Sequence, residues 1–307
     1  MKRPLLAIAA LAVAAMLAQQ ADAADPVTVQ SCDREVTFAA PPERAVSNDV
    51  NLTEMMLVLD LTDRMVGYSG ISGWNKLDET MRAGLVELPQ LAERYPSREV
   101  LVGANADFFF AGWNYGMRVG GEVTPETLEP FGIQVYELTE SCTHIMDKDK
   151  ASIEDMYADL TNLGRIFGVE DRAEALVAGY RAELAAFAES LGAAREPVRA
   201  FVYDSGEDAP FTAGRYAMPT ALIEAAGGVN IMDDFEKSWA TVTWEEVVAR
   251  DPEVVIIVNY GDVTAEQKRA FMMSNPAFAD IDAVANDRFV TLEYVEATPG
   301  PRNIQAV

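Results

Sequence analysis

The residues able to do acid–base, redox or metal chemistry are few in this 307-residue chain: one histidine, His144, and two cysteines, Cys32 and Cys142. No Cys-x-x-Cys pair, nucleophile elbow or glycine-rich phosphate loop occurs, and Gly227-Gly228 lacks the dinucleotide fingerprint. His144 with Asp147 and Asp149 gives a spacing too loose to specify a metal, and one histidine cannot build a three-histidine site. The chain therefore reads as a protein that is not an enzyme and holds no cofactor or metal of its own. Its distinctive chemistry is recognition. Trp74, Trp113 and Trp239 fall outside any apolar stripe, and Tyr115, Tyr260, Tyr294 and Phe211 join them in the same set of loops, with Asn48, Asp49, Asp204 and Thr212 as polar neighbours. Aromatic faces suit a bulky organic ligand; each tryptophan could equally plug a lobe surface. Arg118 follows one aromatic loop and could fork to an anion, although pairing with a surface acid is the commoner fate of an arginine.

These loops need elements to hold them. Short apolar runs of β character, at 45–47, 65–68, 108–111, 135–138, 200–203, 254–258 and 289–292, alternate with helical stretches such as 52–59, 124–131, 218–226 and 245–250. Such alternation argues for α/β layers with mostly parallel sheets, whose ligands sit beyond the carboxyl ends of the strands. The middle of the chain differs. Ser152 and Asp155 make a capping-box start to a stripe through Ile153, Met156, Tyr157, Leu160, Leu163 and Phe167. A second stripe runs from Ala173 through Val177, Tyr180 and Leu184 to Leu191, closed by Gly192 and Pro197. That helix spans about 35 Å, long enough to reach between two lobes. A weak duplication supports two lobes: Pro42-Glu43-Arg44-Ala45 and Pro197-Val198-Arg199-Ala200 each lead into a strand. Moreover, Ser97-x-Glu99 and Thr243-x-Glu245 each precede an acid by eight residues, Asp107 and Glu253. The methionines Met55, Met56, Met65 and Met156 fall on apolar stripes or strands and read as core filling.

Half of the residues are apolar, a globular composition, and the formal charge of −25 repels nucleic acids and anionic lipid. Lys2 and Arg3 precede an apolar run over 5–18, and Ala21-Asp22-Ala23 supplies small residues for cleavage, so residues 1–23 read as a signal peptide. The run is short for a bilayer span. An exported monomer without membrane insertion follows, and in an oxidising compartment Cys32 and Cys142 are expected to be bridged, with two separate buried thiols as the alternative.

Five blocks together resemble the exported substrate-binding proteins of ABC importers for iron-siderophore, haem and cobalamin. They are Pro42 to Gly67, Ser152 to Leu184, Phe211 to Ile231, Trp239 to Val258 and Thr298-Pro-Gly-Pro-Arg302. The resemblance implies two α/β lobes with mostly parallel sheets joined by one long helix: an N-terminal lobe over 24–150, a helical region over 151–196 and a C-terminal lobe over 197–307. Family members usually continue through a last helix beyond the Arg302 block, so the C-terminal lobe is expected to be truncated. The implied function is capture of an iron-siderophore or similar metal chelate in the periplasm and delivery to the inner-membrane permease dimer. A corrinoid, haem or another cofactor precursor is the runner-up ligand, and an exported sensor or chaperone domain of the same fold is the rival class. The resemblance makes Arg215 and Arg302 ligand-facing; they join Asn48, Trp74, Trp113, Tyr115, Phe211, Thr212, Trp239 and Tyr294, which their loops after the candidate strands nominate as ligand-binding. It also makes Glu99 and Glu245 permease-docking residues, one on each lobe; the competing reading is that each merely favours the positive end of its helix.

Overall fold

The computed structural model describes residues 25–73, 77–192 and 196–307. The expected signal peptide over 1–23 and Trp74 lie outside the described residues. The chain begins with an antiparallel hairpin of β1 (Val27–Ser31) and β2 (Arg34–Phe38), whose alternation turns Val29, Val36 and Phe38 inward.

The first lobe follows as β3 (Ala45–Asn48), α1 (Val50–Val58), β4 (Met65–Ser69), α2 (Glu79–Leu85), β5 (Gln90–Ala92), α3 (Arg98–Gly103), β6 (Phe108–Trp113), β7 (Gly116–Met117), α4 (Pro125–Leu128) and β8 (Gln134–Glu137). Its strands order β5-β4-β3-β6, with β7 and β8 both on β6, and every pairing is parallel. Phe108, Phe109, Phe110 and Ala111 are wholly buried. Such an unbroken apolar run is what a strand covered on both faces requires.

Two helices lead onward. In α5 (Ile153–Phe167) the Ser152–Asp155 capping box forms, and the whole expected stripe is buried. Next comes α6 (Glu170–Leu191), packed so close that a Cβ on Gly164 of α5 would stand 2.4 Å from Ala173 Cβ. The α6 stripe behaves differently from expectation. Ala173 and Val177 are buried, Leu176, Tyr180 and Leu184 are half-buried, and Leu191 is exposed. The helix leaves the first lobe, where Arg172 reaches the Leu59 carbonyl, and ends with Leu191 beside Gly227 of the second. A connector with solvent along most of its length has little core to fill.

The second lobe is β9 (Val198–Tyr203), β10 (Phe211–Ala213), α7 (Met218–Ala225), β11 (Gly228–Asn230), β12 (Trp239–Thr241), α8 (Trp244–Arg250), β13 (Val254–Asn259), α9 (Ala265–Ser274) and β14 (Phe289–Glu293). Its parallel sheet orders β11-β9-β13-β14, the same sequence of connections as β4-β3-β6-β8, and β10 with β12 forms a separate antiparallel ribbon. All seven strands expected from the sequence form. The two lobes are thus one α/β plan used twice, joined by α6, as the resemblance implied. The last residues cross back to the first lobe: Asn51 Nδ2 donates to the Pro299 carbonyl at 2.7 Å and Arg302 pairs with Glu54.

Candidate functional site

Two cavities, of about 530 and 400 Å³, share Asn114 and Tyr294; the first is lined by the first lobe and Tyr294, the second by residues of both lobes. Their walls come from the residues that follow strand ends: Asp49 after β3, Gly70 after β4, Arg94 and Tyr95 after β5, Asp204 after β9, Tyr260 after β13 and Tyr294 after β14. A parallel sheet leaves its diverging loops at that edge, which is where open α/β sheets take their ligands.

Four of the expected ligand residues meet there. Tyr115, Phe211, Trp239 and Tyr294 line the 400 Å³ cavity, with the rings of Phe211 and Trp239 stacked at 5.8 Å and those of Tyr260 and Tyr294 tilted at 5.9 Å between centroids. Tyr294 Oη also donates to Asp49 Oδ2 at 3.1 Å, closing the floor between the lobes. Asn48 and Thr212 are buried beneath the walls. Asn48 hydrogen-bonds Ser69 Oγ at 3.0 Å, and a Cβ on Gly116, at φ +106°, would meet its side chain at 2.8 Å. Thr212 alternates with Phe211 along β10, so when the phenyl group faces the cavity the hydroxyl turns inward.

Three more of the expected residues stand apart from the two cavities. Trp113 belongs to β6, which runs two residues further than its apolar run suggested; it is 6% exposed, packed in the first lobe's core, and donates from Nε1 to Glu137 Oε1 at 2.9 Å. Arg215 donates from Nε to the Asp233 carbonyl at 2.9 Å and faces Glu236 at 3.7 Å. Arg302 is held by Glu54 at 2.7 Å and by Asp78. Neither arginine is among the residues that line these two cavities. In so acidic a chain a guanidinium near the surface finds a carboxylate of its own protein.

The arginines at the cleft are Arg94 and Arg118. Arg118 lies over the Tyr95 ring at 5.3 Å, and among the described residues neither guanidinium makes a salt bridge. Arg94 and Tyr95 escaped notice because β5 is three residues long and carries no period. Opposing them is Asp49, which caps α1 by accepting from the Val50 amide at 2.7 Å. Burial drives its carboxyl up to about 6, against the hydrogen bonds from Val50 and Tyr294. In the second lobe Tyr260 Oη donates to Asp204 Oδ2 at 2.5 Å, and burial raises Asp204 although Tyr260 and Lys268 oppose it. Beneath the seam, Glu140 is 1% exposed; Ser238 Oγ donates to its Oε1 at 3.3 Å, and burial, with Asp155 nearby, raises it to about 8. The walls are therefore aromatic, with two arginines on one side and hydrogen-bonding carboxyls on the floor. They present surfaces for binding a large, polar-edged molecule.

Glu99 and Glu245 sit exposed in the first turns of α3 and α8, capped by Ser97 and Thr243. Cys32 and Cys142 are joined by a disulfide, Cα to Cα 5.3 Å, which ties the β1–β2 turn to the 3₁₀ segment carrying Glu140 and His144.

This is the fold of two-lobed periplasmic binding proteins. The chain belongs to the periplasmic binding protein family, whose model matches residues 119–295. A periplasmic binding protein from Veillonella parvula is 29% identical, superposes with a TM-score of 0.79, and matches 92% of this chain and 94% of its own. The structure of an ABC-type Fe3+-hydroxamate transport system from Saccharomonospora viridis is 26% identical with a TM-score of 0.77, covering 92% of this chain and 96% of its own. A cobalamin-binding protein of Halobacterium salinarum is 27% identical over 246 residues, 78% of this chain, and the match spans 61% of that relative's length.

Proposed function

We propose that this protein is the substrate-binding component of an ABC importer, exported by residues 1–23, which captures a ferric siderophore or similar chelate and hands it to an inner-membrane permease dimer. It works as a monomer, carries no cofactor of its own and performs no covalent chemistry. The observation that carries the reading is the interlobe cleft: it is large enough for an organic chelate, and aromatic side chains wall it from both lobes. Arg94 and Arg118 favour a ligand whose N-lobe face carries carboxylate, catecholate or hydroxamate oxygens, since a guanidinium forks to such groups. The likeness to the Fe3+-hydroxamate protein supports iron. A corrinoid is the second reading, favoured by the likeness to the cobalamin-binding relative.

The test is the mass and absorption spectrum of whatever co-purifies, followed by fluorescence titration with ferric hydroxamate, ferric catecholate, haem and cobalamin. Replacing both Arg94 and Arg118 with Ala is expected to weaken an anionic chelate by about 2 kcal/mol, and Arg215→Ala to leave affinity unchanged. Tight binding of a bare metal ion or a simple sugar, with none of the chelates bound, would overturn the reading.

A further inference from the structure

Lys268 lies on α9, behind the second lobe's cleft wall, and is 4% exposed. Its Nζ donates to the carbonyls of Asp204 at 2.5 Å and Val258 at 2.6 Å, at the ends of the neighbouring strands β9 and β13. The ammonium also lies 4.6 Å from the centre of the Tyr260 ring, the phenol that binds Asp204 Oδ2. The Asp204 amide in turn donates to the Phe211 carbonyl at 3.0 Å, and the Phe211 amide to that of Ser205 at 2.8 Å, so the ribbon bearing the Phe211–Trp239 stack hangs from the residue Lys268 pins. Two carbonyls and a ring face converging on one ammonium fix the geometry of the groups that carry them.

We propose that Lys268 is the positioning residue of the second lobe's cleft wall, holding the Asp204–Tyr260 pair and the Phe211–Trp239 stack in the arrangement the ligand meets. The inference rests on reading the cleft as the ligand site.

The test compares the wild type with K268M and K268R by three readouts. The first is the midpoint of Asp204 in a carboxyl-carbon NMR titration, where Tyr260, Ser205 and Lys268 are its neighbours. The second is the near-ultraviolet circular dichroism of the aromatic stack, and the third is affinity for ferrioxamine B, ferric enterobactin, haem and cyanocobalamin. In K268M the Asp204 midpoint is expected to rise by about one pH unit or more, the dichroism to fall, and the best-bound probe to lose roughly tenfold in affinity; K268R restores the midpoint. Should K268M fail to fold, K268Q is measured in the same way. A variant that melts at a lower temperature but keeps the wild-type midpoint, dichroism and affinity overturns the proposal. If the wild type binds none of the four probes, the reading of the cleft fails, while the titration and dichroism still decide what Lys268 does.

Discussion

Where β3 begins, Arg44 pairs with Asp107 at 3.3 Å, and Asp107 accepts from the amides of Glu43 and Arg44. Where β9 begins, Arg199 pairs with Glu253 at 3.4 Å, and Glu253 accepts from the Arg199 amide at 3.0 Å. Each clasping acid follows a short helix, α3 or α8, with a hydroxyl cap and an exposed glutamate at its second position. The frames of the two lobes thus repeat down to single hydrogen bonds. The walls they hold to the cleft do not. In the first lobe the strand ends close around a neutral amide, Asn48, packed against glycines; in the second a buried ammonium, Lys268, takes the corresponding central place. A frame is free to stay duplicated where each lobe meets an equivalent surface. The walls line the proposed ligand site with different residues from each lobe.

The disulfide is the first way to press on that comparison, because it braces the first lobe across a separation of 110 residues and the second has no counterpart among the described residues. Replacing Cys32 and Cys142 with Ser should cost about 2 to 5 kcal/mol, mainly through the freedom returned to the unfolded chain. Calorimetry should then show the first lobe melting ahead of the second. One transition, moved by less than about 1 kcal/mol, would mean that the frames are equally stable without the brace.

The frame was legible in the sequence and the walls were only partly so. Central strands such as 108–111 and 254–258 announce themselves by apolar runs, α5 by its capping box and stripe, and the clasps by a spacing that recurs. Tyr115, Phe211, Trp239 and Tyr294 were legible because aromatic residues outside a stripe need another reason to be there. Trp113 was not, since whether a residue is the last of a strand or the first of a loop depends on pairing, here with β7, that the chain does not spell out locally. The carboxylate partners of Arg215 and Arg302 were not legible, because fold likeness transmits backbone position and leaves open which carboxylates a guanidinium will find. Lys268 was invisible: along α9 it is one more polar residue, and only the crossing of that helix behind two strand ends buries it.

Glu140 tests how tightly the unlike walls are joined, since its Oε1 takes the hydroxyl of Ser238 from the other lobe and its Oε2 has no hydrogen-bond partner among the described residues. A carboxyl raised from 4.5 to about 8 in the fold favours the folded state when protonated. Its contribution is complete below about pH 4.5 and disappears as the pH climbs through about 8. Glu140→Gln should flatten the decline in stability across that window and leave the protein at pH 8 more stable than the wild type by about 2 kcal/mol. A residual slope should remain from Asp159, which burial raises to about 7. Denaturant melts at several pH values provide the measurement, and parallel wild-type and variant curves would show Glu140 to be solvated and the seam open.

The smallest change in stability should come from the glutamates of the repeated frame, and it bears most directly on why the frame stayed repeated. Glu99 and Glu245 are exposed, and the hydroxyls of Ser97 and Thr243 already cap their helices. Removing either carboxylate should therefore barely move the melting temperature. If the two equivalent positions meet two equivalent basic surfaces of a symmetric permease, Glu99→Ala and Glu245→Ala should each lower uptake of the bound chelate by similar factors. The double variant should lose more than either, with ligand affinity unchanged in all three. Comparable losses matter more than large ones, because similarity is what a two-fold partner requires and what two unrelated surface charges would not produce. Loss from one substitution alone would make the repeat an inheritance of the fold; full uptake by the double variant would reduce both residues to favouring the positive ends of their helices.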